Sequence, residues 1–423
     1  MLSRQFIREH PDEVREAARK KRVDLPLDRL LALDARIEDL KRERQGRREE
    51  SNRVSKSTGK AAPGDRAALI ERGRVLREEI SVLDDELRAL EAELHDLLLR
   101  VPNIPDPSVP EGADESANLP VTYWGEPPRF EVAPRDHVAL MERLGMLDVE
   151  RGAKVAGSRS YILKGAGALL EMALVQFAMD RLVARGFTPL IVPALVREFC
   201  LVGSGQFPSG REQTYELPAD DVFLSGTAEV AMIGMHADEI LPFDALPIRY
   251  VALSPCFRRE AGSYGRDVKG IMRVHQFTKV EQFVIGPAEG AASLAMLDSL
   301  LANAEELLQA LEIPYRVVLV CTGDMGDGKV KMYDIESWVP SENRYRETHS
   351  DSFLGEWQAR RVNLRYRGAD GKVRFAHTLN NTALASPRIM IPLLENHQRP
   401  DGSVRIPAAL RPYLHMDVIV PSD

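Results

Sequence analysis

Leu76, Ile80, Leu83, Leu87, Leu90, Leu94 and Leu97 recur in alternating steps of four and three without a break. Strand faces repeat every second residue, so no strand can gather these seven on one side. A helix can, and the spacing describes a coiled-coil seam. A second track, at positions 30, 33, 37, 40, 44, 47, 51 and 54, obeys the same rule; it begins Leu30, Leu33, Ile37, Leu40 and turns polar at Arg44, Arg47 and Ser51. Between the tracks, Ser57-Thr58-Gly59-Lys60-Ala61-Ala62-Pro63-Gly64-Asp65 reads as a helix stop and restart. Residues 27–100 are therefore expected to form an antiparallel helical hairpin whose second helix runs roughly 50 Å.

Charge divides this hairpin. Residues 36–77 hold 13 Lys/Arg against 7 Asp/Glu, a net of +6, whereas residues 78–100 hold 2 against 8, a net of −6. The whole chain has a formal net charge of −8. A basic tip on an acidic protein suits a local polyanion-binding element. The same pattern also suits a coiled coil used for dimerisation or spacing, and the residues alone leave both readings open.

A length of 423 residues gives room for two or three domains. The N-terminus is charged throughout and lacks a signal-peptide apolar core. No apolar run is long enough for a transmembrane helix. Cys200, Cys256 and Cys321 show no CxxC spacing, so neither zinc nor a disulfide framework is expected, and reduced thiols fit a cytoplasmic protein. Seven prolines between residues 101 and 130 predict a linker with little regular structure. The expected division is thus 1–100, 101–130 and 131–423.

In the last segment, residues 166–185 read as a helix ended by Gly186, followed by a Pro-containing strand over 187–195. Strands are also expected over 248–257, 274–285, 314–321, 332–339, 360–366 and 374–380. Few helices intervene after residue 312, which predicts an α+β fold, an antiparallel sheet with helices on one side. No GxGxxG follows a first strand and no Walker A motif is present.

The richest chemistry lies in residues 254–281. An apolar strand ends in Phe257-Arg258-Arg259-Glu260, a Gly-rich loop follows, and a second strand starts Val274-His275-Gln276-Phe277 and runs to Glu281. Arg258 and Arg273 lie on opposite arms of the expected hairpin, and guanidinium forks grip phosphates bidentately. Phe277 offers a face for a base and Glu260 an acceptor for an amino group. His275 reads as structural. This stretch resembles motif 2 of the class II aminoacyl-tRNA synthetases, in the VHQF form of the seryl-tRNA synthetases. The helix, glycine and strand of 166–195 are similar to motif 1, the dimer interface of that class. Residues 377–396 resemble motif 3, a strand and then a helix carrying Arg388.

The resemblance implies an antiparallel class II catalytic domain with a coiled-coil arm, activating L-serine with ATP. It implies an ATP site at Arg258, Arg259, Glu260, Arg273, Val274, His275, Gln276, Phe277, Glu347, Thr348, His349, Ser350 and Arg388. Mg²⁺ is expected on Glu347 and Ser350. The serine pocket is expected at Thr227, Ala228, Glu229, Arg258, Glu281, Asn380 and Thr382, with Glu281 accepting from the hydroxyl. Arg258, Glu260 and Arg388 are the expected catalytic residues. The run Thr348-His349-Ser350-Asp351-Ser352-Phe353 departs from the family's usual S-S-C-S-N, and Pro387 stands where glycine is usual. The resemblance further implies that the arm grips tRNA(Ser), and tRNA(Sec) as well, through Arg36, Lys41, Arg42, Arg44, Arg47, Arg48, Arg53, Lys56 and Lys60, on a homodimer.

Overall fold

The computed structural model describes residues 1–262 and 270–421. Most of the Gly-rich loop expected after Glu260 lies outside the described residues. The chain divides into two compact units, residues 1–19 with 23–102, and residues 20–22 with 103–423.

The first unit comprises α1 (Arg4–Glu9), α2 (Pro11–Lys20), α3 (Leu27–Thr58) and α4 (Pro63–Leu98). The last two form the expected hairpin, and α4 opens with proline at its first position, where a missing N–H costs nothing. Its 36 residues make it about 54 Å long. Leu30, Leu33, Ile37 and Leu40 of α3 are buried, as are Leu76, Leu83, Leu87 and Leu94 of α4. No residue from 41 to 75 is buried, so the distal half has no apolar core. Ion pairs across the hairpin are found instead: Arg36–Glu86 at 2.8 Å, Lys41–Glu91 at 2.8 Å, Arg44–Asp84 at 3.0 Å, Arg47–Glu79 at 3.2 Å and Arg48–Asp84 at 3.4 Å. Arg42 pairs with Asp39 on its own helix. Among the described residues, Arg53, Lys56 and Lys60 make no ion pair and stand exposed near the turn. Near the hairpin's base, the buried Asp34 carboxylate is held by Arg4 at 2.5 Å and Arg8 at 3.0 Å, which fastens α1 to α3.

The second unit is α+β. Its strands are β1 (Leu119–Trp124), β2 (Thr188–Ile191), β3 (Ile248–Phe257), β4 (Gln276–Gly286), β5 (Tyr315–Leu319), β6 (Lys331–Val339), β7 (Arg344–Gly355) and β8 (His377–Ser386). They form one sheet in the order β1-β5-β6-β7-β8-β4-β3-β2, antiparallel except for the parallel pair β2–β3. The helices that matter to the site are α5 (Ala166–Ala184), α6 (Ala228–Gly234), α7 (Gly290–Ala310), α8 (Trp357–Arg361) and α9 (Met390–His397). Side chains alternate across a strand, and β4 shows it. Val280 and Val284 join Leu170, Leu174 and Phe177 of α5 and Leu300 and Leu307 of α7 in the main core. Phe277, Lys279 and Glu281 point to the other face and line a cavity. Among the described residues no helix is long and apolar enough to cross a membrane.

Three expectations are corrected. The Pro-rich segment 101–130 supplies β1, the edge strand, where the unpaired side of the ladder tolerates Pro120. Residues 360–366 are not one strand: they comprise the end of α8, a turn and a short strand from Arg365. The twelve-residue β7 was not expected as a strand, because its polar sequence hides the alternation that marks one.

Candidate active site

The cavity lies over β3, β4, β7 and β8. Ala252 of β3 and Thr382 of β8 both face Glu281 across the ladder. In the β4–β8 pairing Val280 faces Leu384 and Glu281 faces Thr382, so Ala383 is an inserted residue, a β-bulge. Asn380 and Thr382, two apart on one face of β8, both line the cavity, and the bulge sets Thr382 opposite Glu281.

A second bulge answers a geometric question. Glu347 and Ser350 are three apart on β7, and residues at odd spacing face opposite sides of a regular strand. Ile335 pairs with His349 but Glu336 pairs with Glu347, leaving Thr348 as the extra residue. With that insertion Glu347, Thr348 and Ser350 all line the cavity.

At the closed end, Thr227 caps the N-terminus of α6, accepting from the Glu229 amide at 3.3 Å. Its hydroxyl donates to Glu281 Oε2. Lys279 Nζ lies 2.8 Å from Glu281 Oε2 and 2.8 Å from Thr227 Oγ1. Glu229 is buried, and Gln358 Nε2 donates to its Oε1 at 2.6 Å. Burial raises the Glu229 carboxyl above its ordinary value, Lys329 opposing the rise and Glu281 adding to it.

At the open end three guanidinium groups converge. The Arg258 guanidinium lies 5.2 Å from the centroid of the Phe277 ring and donates to Gly226 O at 3.4 Å. Arg273 Nη1 reaches Glu260 Oε2 at 2.6 Å, and Glu260 adopts φ +53°, the left-handed region. Arg388 donates from Nε to Met272 O at 3.2 Å and from Nη1 to Glu347 O at 3.4 Å. Burial pulls Arg388 below the ordinary arginine value, Glu347 opposing and Arg258 and Arg273 reinforcing. Cations held this close in a walled cavity make it a favourable place for an anion.

Other expected site residues lie behind this wall. The His275 ring bonds Arg258 O at 2.9 Å, and Arg258 N donates to His275 O at 2.9 Å, so His275 fixes the backbone that carries Arg258. Arg259 N donates to Gln213 O at 2.9 Å, and Gln213 also brackets Ala261 through its side-chain amide, at 3.0 and 2.7 Å. Arg259, His275, Gln276, Ala228 and His349 do not line the cavity, whereas Val274 does. Arg388 sits in the turn after β8 and not on the helix, because α9 begins at Met390.

Two family models match the chain: the tRNA synthetase class II core domain (G, H, P, S and T) over residues 214–397, and the seryl-tRNA synthetase N-terminal domain over residues 1–105. The serine–tRNA ligase of Deinococcus radiodurans is 56% identical over 414 residues, 98% of this chain and 97% of its own. The chain belongs to the seryl-tRNA synthetase family. The serine–tRNA ligase of Thermobifida fusca is 46% identical, over 100% of this chain and 99% of its own. A crystal structure of the seryl-tRNA synthetase from Pyrococcus horikoshii, complexed with ATP, matches with a TM-score of 0.94 at 42% identity, covering 100% of each chain. The protein is an ATP-dependent aminoacyl-tRNA ligase of class II, with the α+β fold of seryl-tRNA synthetases.

Its departures from the seryl-tRNA synthetase pattern now have locations. His349, Asp351 and Phe353 do not line the cavity, and Phe353 belongs to the main core. Burial lowers the His349 imidazole to about 4, so it is neutral at pH 7, and its Nδ1 bonds Thr348 Oγ1 at 2.8 Å. Thr348 Oγ1 also meets Ser337 Oγ at 2.8 Å, which ties the bulge to β6. Pro387 lines the cavity beside Arg388.

Sequence reasoning missed Lys279, Lys329 and Gln206, which also line the cavity. Lys279 carried a signal: it stands two residues before Glu281, on the same face of one strand. Lys329 and Gln206 come from irregular segments and carried none.

Proposed function

We propose that this enzyme joins the carboxylate of L-serine to the α-phosphorus of ATP, releasing pyrophosphate, and then passes the seryl group to the 3′-terminal hydroxyl of tRNA(Ser), with tRNA(Sec) as a second acceptor. The observation that carries this reading is the pairing of a buried carboxylate, Glu281, with Thr382 and Thr227 at one end of a cavity whose other end gathers Arg258, Arg273 and Arg388. One end suits a small amino acid with a hydroxyl; the other suits a triphosphate.

The serine carboxylate is already ionised at neutral pH, so the first step needs no general base. Catalysis is alignment and charge neutralisation. Arg258 holds the serine carboxylate and the α-phosphate together, and Arg388 takes the γ-phosphate. Phe277 stacks on adenine and Glu260 accepts from its amino group. Glu229 and Thr227 receive the α-ammonium group, Asn380 and Thr382 border the side chain, and Glu281 accepts from the hydroxyl. The ATP complex of the Pyrococcus horikoshii relative supports an ATP site here.

Glu347 and Ser350 offer hard oxygen donors on one wall, and nearby Asp334 Oδ1 is buried with no partner among the described residues. Among those residues no group of three or more His, Cys, Asp and Glu is arranged to hold a metal ion. This donor set fits Mg²⁺ carried in with a nucleotide, which binds few protein ligands and takes the rest from phosphates and water. When bound, the ion neutralises phosphate charge; Glu347 and Ser350 would hold it.

In this reading the arm binds tRNA by its backbone, with Arg53, Lys56 and Lys60, which make no ion pair among the described residues, as the leading cations. Leu169 and Met172 of α5 and Ile191 of β2 are 50%, 70% and 88% exposed, an apolar face that supports a homodimer through this region. The three unpaired, buried cysteines support a reducing, cytoplasmic setting. Charging of tRNA(Ser) and tRNA(Sec) transcripts with labelled serine tests the proposal. Both should be charged when they end in 2′-deoxyadenosine and neither when they end in 3′-deoxyadenosine; charging of the 3′-deoxy form overturns the assigned hydroxyl.

A further inference from the structure

Lys279 and Glu281 form a buried ion pair at the closed end of the cavity, with Lys279 5% and Glu281 1% exposed. Glu281 Oε2 is saturated: it receives Lys279 Nζ at 2.8 Å, the Thr227 hydroxyl, and the Glu229 amide at 3.3 Å. Among the described residues, Oε1 has no partner, and Glu281 lines the cavity. The carboxylate is thus held by one oxygen and offers the other to a ligand.

We propose that Lys279 is a positioning residue that sets the choice of serine over alanine, by fixing Glu281 so that Oε1 alone faces the substrate hydroxyl. This rests on the reading of Glu281 as the hydroxyl acceptor. The physical case has two parts. A buried carboxylate stripped of its cation is left uncompensated, and a site built around it loses its geometry. A pocket rejects a substrate lacking a hydroxyl because its own acceptor is left unpaired, and that penalty is sharp only when the acceptor has a single fixed position and no alternative donor. Lys279 Nζ also meets Thr227 Oγ1, so the same ammonium braces the capping residue of α6 against β4. Lys279 is on strand β4 and not on a loop, which makes this brace rigid.

The test is serine- and alanine-dependent ATP–pyrophosphate exchange with the full chain, comparing Lys279→Met, Lys279→Arg, Glu281→Gln and the double variant Lys279→Met/Glu281→Gln. Lys279→Met should raise KM for serine more than it lowers kcat and reduce the serine-to-alanine ratio by about tenfold or more. Lys279→Arg should restore most of that ratio, and KM for ATP should change little in either. On a Glu281→Gln background the methionine substitution should leave the ratio unchanged, since the lysine acts through that carboxylate. A Lys279→Met protein that discriminates like the parent overturns the inference while leaving the role of Glu281 intact. A Glu281→Gln protein with the parental ratio overturns both. If Lys279→Met does not fold, Lys279→Gln is read by the same ratios.

Discussion

Two arginines stand at the open end of the cavity, and the phosphate-binding role proposed for each is open to test. Arg258 lies against Phe277, and Arg388 bridges from the turn after β8 to the backbone of Met272 and Glu347. Neither is held by an ideal carboxylate fork: Arg388 sits 3.7 Å from Glu347 Oε1. Their charge is therefore available to an incoming phosphate. Arg258→Ala and Arg388→Ala should each slow serine-dependent pyrophosphate exchange by about 100-fold or more, on the order of 3 kcal/mol, the loss expected when a preorganised donor to a developing charge is removed. Rates near the parental value in either variant would remove that residue from the phosphate grip. These residues were legible in sequence because motif 2 and motif 3 fix their spacing. Lys279 was legible only in part: its place two residues before Glu281 set it on the same strand face, but a lysine in a strand is ordinarily a solvated one, and tertiary packing showed it buried.

At the scale of elements, bulges do what spacing alone does not. The inserted Thr348 lets Glu347 and Ser350 share a face, and the inserted Ala383 sets Thr382 opposite Glu281. Neither insertion is visible in the sequence, because a bulge has no composition of its own in a strand as polar as β7. Strand β3 was read to the residue, since its apolar run ends sharply at Phe257-Arg258. The end of α9 illustrates a pH-sensitive joint. His397 is buried; its Nε2 donates to Leu311 O at 2.8 Å and its Nδ1 accepts from Arg405 at 3.0 Å. Burial lowers its imidazole below the ordinary value, the Leu311 carbonyl opposing. A proton on Nδ1 would face the Arg405 guanidinium. The folded value is depressed, so the stability tied to neutral His397 is complete above about pH 6.5 and is lost as pH falls from there toward the folded value. The parent should therefore lose up to about 1 kcal/mol more than His397→Gln between pH 7.5 and 5.5, read from urea unfolding midpoints. Parallel losses in the two proteins would contradict this.

The candidate cations of the hairpin arm fall into two groups. Those from Arg36 to Arg48 mostly pair across the two helices or along one, whereas Arg53, Lys56 and Lys60 do not. The sequence revealed the basic tip but not this division, which depends on the register of α3 against α4. Replacing Arg53, Lys56 and Lys60 together with alanine should raise KM for tRNA about tenfold or more at 150 mM salt and flatten its salt dependence, with serine activation unchanged. An unaltered KM for tRNA would move the contact surface elsewhere on the arm.

For the molecule as a whole, the chain divides into two compact units, and the proposed function assigns activation to one and tRNA capture to the other. Deleting residues 36–77 should leave serine activation largely intact and abolish charging; loss of both in a folded protein would count against separable tasks. The central claim, however, concerns the cavity. ATP–pyrophosphate exchange by the full-length protein across the twenty amino acids, without tRNA, tests it most directly. Exchange should depend on serine, with alanine and glycine lower by about 10⁴-fold, the discrimination a site built to hydrogen-bond a substrate hydroxyl provides. Equal exchange with alanine, or exchange led by another amino acid, would contradict it.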